Sequence, residues 1–510
     1  MEVWFIILIS LCACFSLKSL FSFFSSSKTT KKNVSQGNLP PGPPTLPFIG
    51  NPHLLPKSMV DLRSLMYDLS HKYGPILTVY LGSEPLIFIT SYTLAHQALV
   101  RHGATFANRP AVVPVSSVLS NNHKDIGGSP FGPTWKALRR NLISEVLHPT
   151  SLKSYSVERK RVLDSLIKGF HESSKLNQPV RLLDHIHPAL FSLFIRMTFG
   201  ELSETQIKEV EGIQYQFLVS YEQFTVLATW PRLGKLLLRN RWKRYLQFLK
   251  NQDDVILPLI RARKKLNKER GKAFELISYI DSLLDLKIPG EKGNVEEADI
   301  LSLCSELINA GGDTSTTMLQ WVLAYLVKHP RVQSKLFAEI SEVVAKGAKE
   351  VSEDDLHKIP YLKAVVLETL RIHPPNTLLV PHTAMEDVEL GGYTIPKDTK
   401  VNIVTALIGR DPNVWENPME FRPERLLTSE DIGEEVSDVT AFKMMPFGAG
   451  RRKCPGNKLG LLLLQYFVSN LVWNFEFKTV DGEGVDLSEK VKFLIVMKNP
   501  VRAYVSPRIK

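Results

Sequence analysis

Residues 294–327 hold the apolar periodicity of one long helix, and that helix sets the scale of whatever the chain folds into. Asn294 can cap its start and Glu297 follows three residues on, a capping-box pattern. At about 1.5 Å per residue such a helix runs roughly 50 Å, the width of a whole domain. The rest of the body must pack around it. Its middle reads "NAGGDTST", Asn309 to Thr316. A mid-helix glycine costs about 1 kcal/mol relative to alanine, so something must offset Gly311 and Gly312. Two readings stand. In one, the glycines admit another body, beside the carboxyl of Asp313 and the hydroxyl of Thr314. In the other, the helix kinks and those side chains bond back to its own carbonyls.

Around this helix the pattern stays mostly helical, over 138–346 and 459–472. Short β-rich runs fall at 76–82, 85–90, 491–497 and 503–506. No second linker, repeat or low-complexity block follows residue 52. Length alone would divide 510 residues into several domains. The pattern instead predicts a single large domain over 52–510, mainly α with small β-sheets.

Ahead of it, Val3 to Leu17 is uncharged and apolar, and the run continues to Phe24 with only Lys18 charged. About 20 such residues cross a bilayer. Glu2 precedes the run, and Lys28, Lys31 and Lys32 follow it, the reverse of a cleaved secretory signal. Residues 1–24 are therefore predicted to be a retained transmembrane anchor, with the body on the cytosolic side. Residues 25–51 form a basic flank and a Pro-rich hinge, "LPPGPPTLPFIG", whose prolines cannot continue a helix.

The 63 Lys+Arg against 52 Asp+Glu leave +11, modest for this length. No basic stripe interleaved with aromatics appears, which argues against nucleic acid as a partner. An anionic membrane surface or an acidic protein fits better. Four cysteines, Cys12, Cys14, Cys304 and Cys454, make no disulfide framework and point to a reducing compartment. Cys304 sits in an apolar helical stretch and reads as a small buried hydrophobe.

Cys454 is different. It lies in "PFGAGRRKCPG", after Arg451, Arg452 and Lys453, with glycines that permit tight turns and a helix starting just beyond. Positive charge and a helix N-terminus favour a thiolate. Three uses compete. A zinc site needs further ligands at short spacing, and none lies close. A nucleophile needs a base, which His382 or His373 could supply through the fold. A haem iron needs one axial thiolate, with basic groups such as Arg452 for its propionates. Gly448-Ala449-Gly450 begins like a dinucleotide fingerprint, but Lys453 occupies its last glycine position.

The loop resembles the F-x-x-G-x-R-x-C-x-G pattern of cytochrome P450 haem-thiolate monooxygenases through Phe447, Gly450, Arg452, Cys454 and Gly456. "ETLR" resembles that family's E-x-x-R motif at Glu368 and Arg371, and "FRPERL" offers Arg425 as the third member of a buried network. By spacing alone an i,i+3 Glu/Arg pair reads as a solvated surface pair. "AGGDTS" resembles the oxygen-activation motif and "WKALR" the W-x-x-x-R of Trp135 and Arg139; His382 stands where a propionate-binding Arg or His is common. Leu426 replaces a usual Phe, and Gly460 a usual Ala. The resemblance covers essentially the whole chain and is closest to plant microsomal members.

The resemblance implies the cytochrome P450 fold, with haem b bound through Cys454. Arg452, Trp135, Arg139 and His382 would anchor the propionates, with Phe447 and Gly450 shaping the loop. Gly311 and Gly312 would leave room for dioxygen, while Asp313 and Thr314 would relay protons. Electrons would come from NADPH through a membrane-bound cytochrome P450 reductase that meets the basic residues Arg451 to Lys453, Lys443, Lys136 and Arg140. The substrate would be a hydrophobic small molecule, a plant specialised or catabolic metabolite, with Ser116, Ser117, Asn309 and Asn376 as polar handles. The location would be the endoplasmic reticulum membrane. The alternative is a haem-thiolate isomerase or dehydratase working without external electrons, a role that usually dispenses with the Asp313–Thr314 pair.

Overall fold

The computed structural model describes residues 38–508, apart from 48, 55–58, 112–123, 230, 271–277, 291–292, 346, 428–442, 481–483 and 492–493. The expected anchor, Ser116 and Ser117 lie outside the described residues. Among the described residues, no helix is long and apolar enough to cross a membrane.

The helices that frame the site are α1 (Pro133–Asn141), α2 (Leu183–Phe199), α3 (Glu204–Thr229), α4 (Arg239–Arg270), α5 (Glu297–Lys328), α6 (Pro360–Ile372) and α7 (Asn457–Asn474). A four-stranded sheet stands beside them, in the order β1 (Ile76–Leu81), β2 (Glu84–Ile89), β4 (Lys400–Ile403), β3 (His382–Thr383). β1 and β2 form a tight antiparallel hairpin, turned at Gly82 with φ of 64°. β4 adds parallel to β2 and antiparallel to β3, which fixes His382 opposite Val401. The described part of the Pro-rich segment is docked along β1, where Thr78 donates through N to Pro41 O and through Oγ1 to Pro40 O.

The central helix α5 has 32 residues. It begins later than the sequence predicts. Asn294 does not cap it, because its Nδ2 donates to Leu284 O at 2.8 Å and closes the preceding loop. Glu296 holds the cap position, and Glu297 pairs instead with Arg261. From Ser315 to Val327 every residue is buried, so this half of α5 is enclosed on all sides by α6, α7 and their neighbours.

The 491–497 run is not one strand. Glu489–Val491 pairs antiparallel with Ile495–Met497. Glu489 at the start of this hairpin binds His373 Nδ1 at 2.8 Å and Arg410 Nη2 at 2.6 Å, and pairs also with Arg63. Burial pushes His373 down to about 4. Burial alone would raise Glu489, but His373, Arg410 and Arg63 outweigh it and hold the carboxyl well below the usual range. The imidazole is neutral, and the two guanidinium groups carry the balancing charge. His373 is therefore committed to structure and not available as a base for Cys454.

The mid-helix glycines of α5 are explained by α2. A Cβ on Gly311 would lie 2.1 Å from the Phe194 ring, and one on Gly312 would lie 3.1 Å from the Phe191 ring. The space made by removing two side chains is filled by two phenylalanines, not kept for a small ligand. Burial of aromatic area offsets the helix-propensity cost. Gly311→Ala is expected to lower stability by on the order of 1 kcal/mol, because overpacking costs more than the propensity gain returns. Urea or thermal denaturation checks this, and an unchanged or raised midpoint contradicts it.

Candidate functional site

The cysteine loop is shaped by backbone geometry that favours glycine. Gly448 and Gly450 have φ of 64° and 67°. A Cβ on Gly450 would sit 1.9 Å from Leu99 O. After the short turn Gly450–Arg452, the Cys454 N–H donates back to Phe447 O at 2.9 Å and closes the loop. Gly460 faces the Phe447 ring, and a Cβ there would make an ordinary 3.7 Å contact, so the glycine in place of alanine leaves little unfilled. Leu426, in place of phenylalanine, is buried in the main core.

The Cys454 sulfur accepts the Gly456 N–H. It lies deep among protein atoms, yet its surface is accessible, so it borders an interior space. Burial pushes the free thiol up, and Gly456, Arg139 and Lys453 pull it back only in part. The cations and the backbone N–H favour the thiolate, as expected, without outweighing burial in the free thiol. A bound metal ion supplies the missing charge directly. Cys304 is fully buried, and burial alone pushes its thiol far up, as suits a packing residue.

Accessible residues also interrupt the burial of α5. Ala310 is exposed, while Glu306 and Thr314 are half-buried. The spacing i, i+4, i+8 puts the three on one stripe of the helix. The Thr314 hydroxyl donates to Ala310 O at 2.6 Å. Asp313 lies about 100° round the helix from Thr314 and is only 3% exposed. Asn309 is buried with its Nδ2 on Gln214 Oε1 at 2.8 Å, and Ser305 beside it accepts from Gln214 and Gln252. The Asn309 Nδ2 links α5 to α3, while its Oδ1 has no hydrogen-bond partner among the described residues. Asn376 is exposed.

Cations gather between the cysteine loop and α1. Arg139 Nη2 donates to Lys453 O at 2.6 Å. Arg452 donates to Ala107 O, Ile126 O and Ser129 O at 2.8, 3.3 and 2.7 Å. The Trp135 ring lies 4.3 Å from the Arg452 guanidinium and 5.5 Å from that of Arg139, while its Nε1 donates to Ile126 O at 3.1 Å. Arg109, which sequence reasoning missed, donates to Gly127 O, Val380 O and Pro381 O. Its one signal was a charge in the otherwise uncharged run "TFANRPAVVPV". Burial and the neighbouring Arg452 lower Arg109 to about 9. Burial and Arg139 lower Arg452 to about 10.

His382 is buried, and its Nδ1 lies 2.7 Å from Phe106 O. Burial, Arg109 and Arg452 push it down to about 3, so the ring is neutral. A carbonyl only accepts, so Nδ1 carries the proton and Nε2 is left as an acceptor. As a neutral ring, His382 therefore cannot donate to a carboxylate.

Glu368, Arg371 and Arg425 meet in the core. Arg371 Nε and Nη2 hold both Glu368 oxygens at 2.8 Å, and Arg425 Nε reaches Oε1 at 2.9 Å. Arg371 Nη1 donates to Gly409 O at 2.6 Å, and Arg425 Nη1 to Glu416 O at 2.7 Å. The side chains of Glu368 and Arg371 are 0% exposed, which removes the reading as a surface pair.

A solvent-open groove of about 900 Å³ lies elsewhere, lined by Arg63, Tyr67, Leu407, Arg410 and Met419 among others. It contains no candidate residue, and Arg63 and Arg410 are held by Glu489.

A cysteine deep in the protein yet accessible, and a cation cluster joined to the long central helix through Glu306 and the segment at Ile126 and Gly127, mark the candidate site. The family model of cytochrome P450 matches residues 40–506, and the chain belongs to that family of haem-thiolate monooxygenases. It is 43% identical to cytochrome P450 89A9 of Arabidopsis thaliana, over 99% of each chain. It is 31% identical to costunolide synthase of Tanacetum parthenium, covering 95% of this chain and 96% of that one. A zebra fish cytochrome P450 solved with progesterone superposes with a TM-score of 0.74 at 26% identity, covering 89% of this chain and 100% of the other.

The residues present fit haem. Arg109 is buried, and Arg139 and Arg452 beside it are half-buried; the cluster repels itself, with Asp125 opposing it. Two propionates would neutralise it. Glu368→Ala leaves Arg371 and Arg425 buried without their carboxylate. The expected cost is about 3–5 kcal/mol, seen as loss of folded protein or a large drop in denaturation midpoint. Stability within about 1 kcal/mol of wild type would contradict the network's role.

Proposed function

We propose that this protein is an O2- and NADPH-dependent monooxygenase of the endoplasmic reticulum membrane that oxidises a hydrophobic small molecule. The observation that carries the reading is Cys454, deep in the protein yet accessible, in a loop whose turn leaves no room for a Cβ at Gly450. Cys454 would hold the haem iron through its thiolate. Arg109, Arg139 and Arg452 would hold the propionates, and Trp135 stacks on two of these guanidinium groups. His382 serves as imidazolium when an adjacent anion supplies the compensating charge, and otherwise packs. When bound, haem supplies the activation of dioxygen and the transfer of one oxygen atom to substrate.

The stripe Glu306–Ala310–Thr314 faces that chemistry. With its proton on Ala310 O, the Thr314 hydroxyl offers lone pairs to a water or ligand; it donates after rotating away from the carbonyl. Asp313 supplies protons from the neighbouring buried face by way of water. Electrons come from an NADPH-dependent reductase. Lys136, Arg140, Arg451 and Lys453 are all exposed, and α1 joins the cysteine loop through the Arg139–Lys453 contact. They form one basic surface for an acidic partner. The apolar run at 3–24 supports membrane attachment. Costunolide synthase and strychnine-11-hydroxylase, 31% and 32% identical, carry names that support a plant specialised metabolite as substrate.

Reconstitution with reductase in vesicles tests this. Turnover is expected only with NADPH, O2 and reductase present. Sustained product without reductase and NADPH would support an isomerase or dehydratase instead. In Thr314→Ala, NADPH oxidation is expected to continue while product per NADPH falls on the order of tenfold or more. Unchanged coupling would remove Thr314 from the relay.

A further inference from the structure

Glu306 is the acid on the accessible stripe of α5, and its two oxygens take no side-chain partner among the described residues. They take backbone: Oε2 accepts the Ile126 N–H at 2.8 Å and Oε1 the Gly127 N–H at 2.7 Å. The far side of the same short segment is held by the cation cluster. In the Ile126–Gly127 peptide, the N–H points at Glu306, while the C=O accepts Trp135 Nε1 at 3.1 Å and Arg452 Nη1 at 3.3 Å. In the Gly127–Gly128 peptide, the N–H donates to Asp125 Oδ1 at 2.5 Å, while the C=O accepts Arg109 Nε at 2.9 Å. Two consecutive peptide groups thus each stand between a carboxyl group and a guanidinium.

We propose that Glu306, with Asp125, is a positioning residue for the haem-anchoring cations, acting on Arg452 and Arg109 through the Ile126–Gly127 and Gly127–Gly128 peptides. The inference rests on the assignment of Arg109 and Arg452 to the propionates. A peptide unit is a dipole of about 3.5 D. Here its positive end meets an acid and its negative end a guanidinium, so the bonds polarise one another and strengthen by about 10–30% each. Among the described residues the arrangement holds Arg452 without a direct ion pair, so its charge remains available to a bound anion.

Gly127 gives independent support. A Cβ there would lie 3.1 Å from Glu306 Oε1, tighter than most such contacts, so a side chain at 127 would push the carboxyl back by a few tenths of an ångström and loosen its bond to the peptide. The approach of Glu306 is a property of the segment's sequence as well as of α5. Asp125 acts directly too, raising the pKa of both Arg109 and Arg452. The device also joins the two faces of the site. Glu306 is two helical turns from Thr314 on one stripe, while Arg452 is two residues from Cys454.

The test uses haem-loaded full-length protein in detergent or vesicles. Haem transfer to excess apomyoglobin is timed, and the haem midpoint potential is measured. Burial and the neighbouring Asp125 push Glu306 up to about 8, so both measurements are made at about pH 9, where wild type carries the charge; in Glu306→Gln the shape is kept but that charge is lost. Haem transfer is expected to speed up about tenfold or more, as for other outer partners of a bound metal group. The potential is expected to move positive, because the cation cluster is less neutralised. The reduced carbon monoxide band should keep its position, since Cys454 is untouched. Gly127→Ala, which leaves every charge in place, is expected to speed transfer as well, and it carries the test if E306Q does not accumulate. Transfer within about twofold of wild type, or faster transfer in E306Q with an unchanged potential, overturns the inference. Wild-type protein that takes up no haem overturns the site assignment itself and the inference with it.

Discussion

Everything around the cysteine loop hangs on one carboxylate with two guanidinium groups buried in the core. Burying three charges costs several kcal/mol each unless every donor and acceptor is met. Here they are met in full geometry: the bidentate Arg371–Glu368 pair, the third bond from Arg425, and backbone carbonyls from Gly409 and Glu416 for the remaining donors. The surplus positive charge is thus spread over peptide dipoles. The consequence is positional. Arg371 lies 5.1 Å from the Trp415 ring, and the Trp415 indole donates to Lys443 O at 3.2 Å. From Lys443 the chain passes through buried Met444 and Met445 into Phe447 and the loop of Cys454. A charge network in the core thereby fixes the place of a sulfur that it does not touch.

The opposite wall obeys a different constraint. α5 is enclosed by apolar packing over its second half, and α2 enters where Gly311 and Gly312 remove side chains. The accessible positions in the middle of α5 lie on one face, and they include an acid, a methyl and a hydroxyl. The segment 124–129 bridges this face to the cation cluster, so the two walls are not independent. Change in one has a path to the other that runs through hydrogen bonds with named donors and acceptors.

Much of this was legible in the sequence, for reasons that can be named. The β1–β2 hairpin and α7 follow from local alternation and periodicity, and the cysteine loop follows from a pattern whose glycines are favoured by backbone geometry. The start of α5 was misplaced because Asn294 looks like a cap by residue type, while a tertiary partner, Leu284 O, claims its side chain. The 491–497 run reads as one strand because a hairpin of three-residue strands leaves no periodic signal. Glu368 and Arg371 look like a surface pair by spacing, and only the family pattern suggested burial. Roles set by long-range packing were the ones hidden. The glycine gap is filled by α2, Asn309 is claimed by Gln214, His382 is left as an acceptor, and Arg109 and Glu306 show in the sequence only as isolated charges among apolar neighbours.

The central claim is that Cys454 binds haem iron as a thiolate. The most direct measurement is the absorbance difference between dithionite-reduced protein with and without carbon monoxide, for wild type and for Cys454→Ala. The account predicts a strongly red-shifted Soret band in wild type that is lost in the variant. A haem band at the ordinary position in folded wild-type protein would mean a different or neutral ligand. A shifted band that survives Cys454→Ala would place the ligand elsewhere. Either result would contradict the account at its first step.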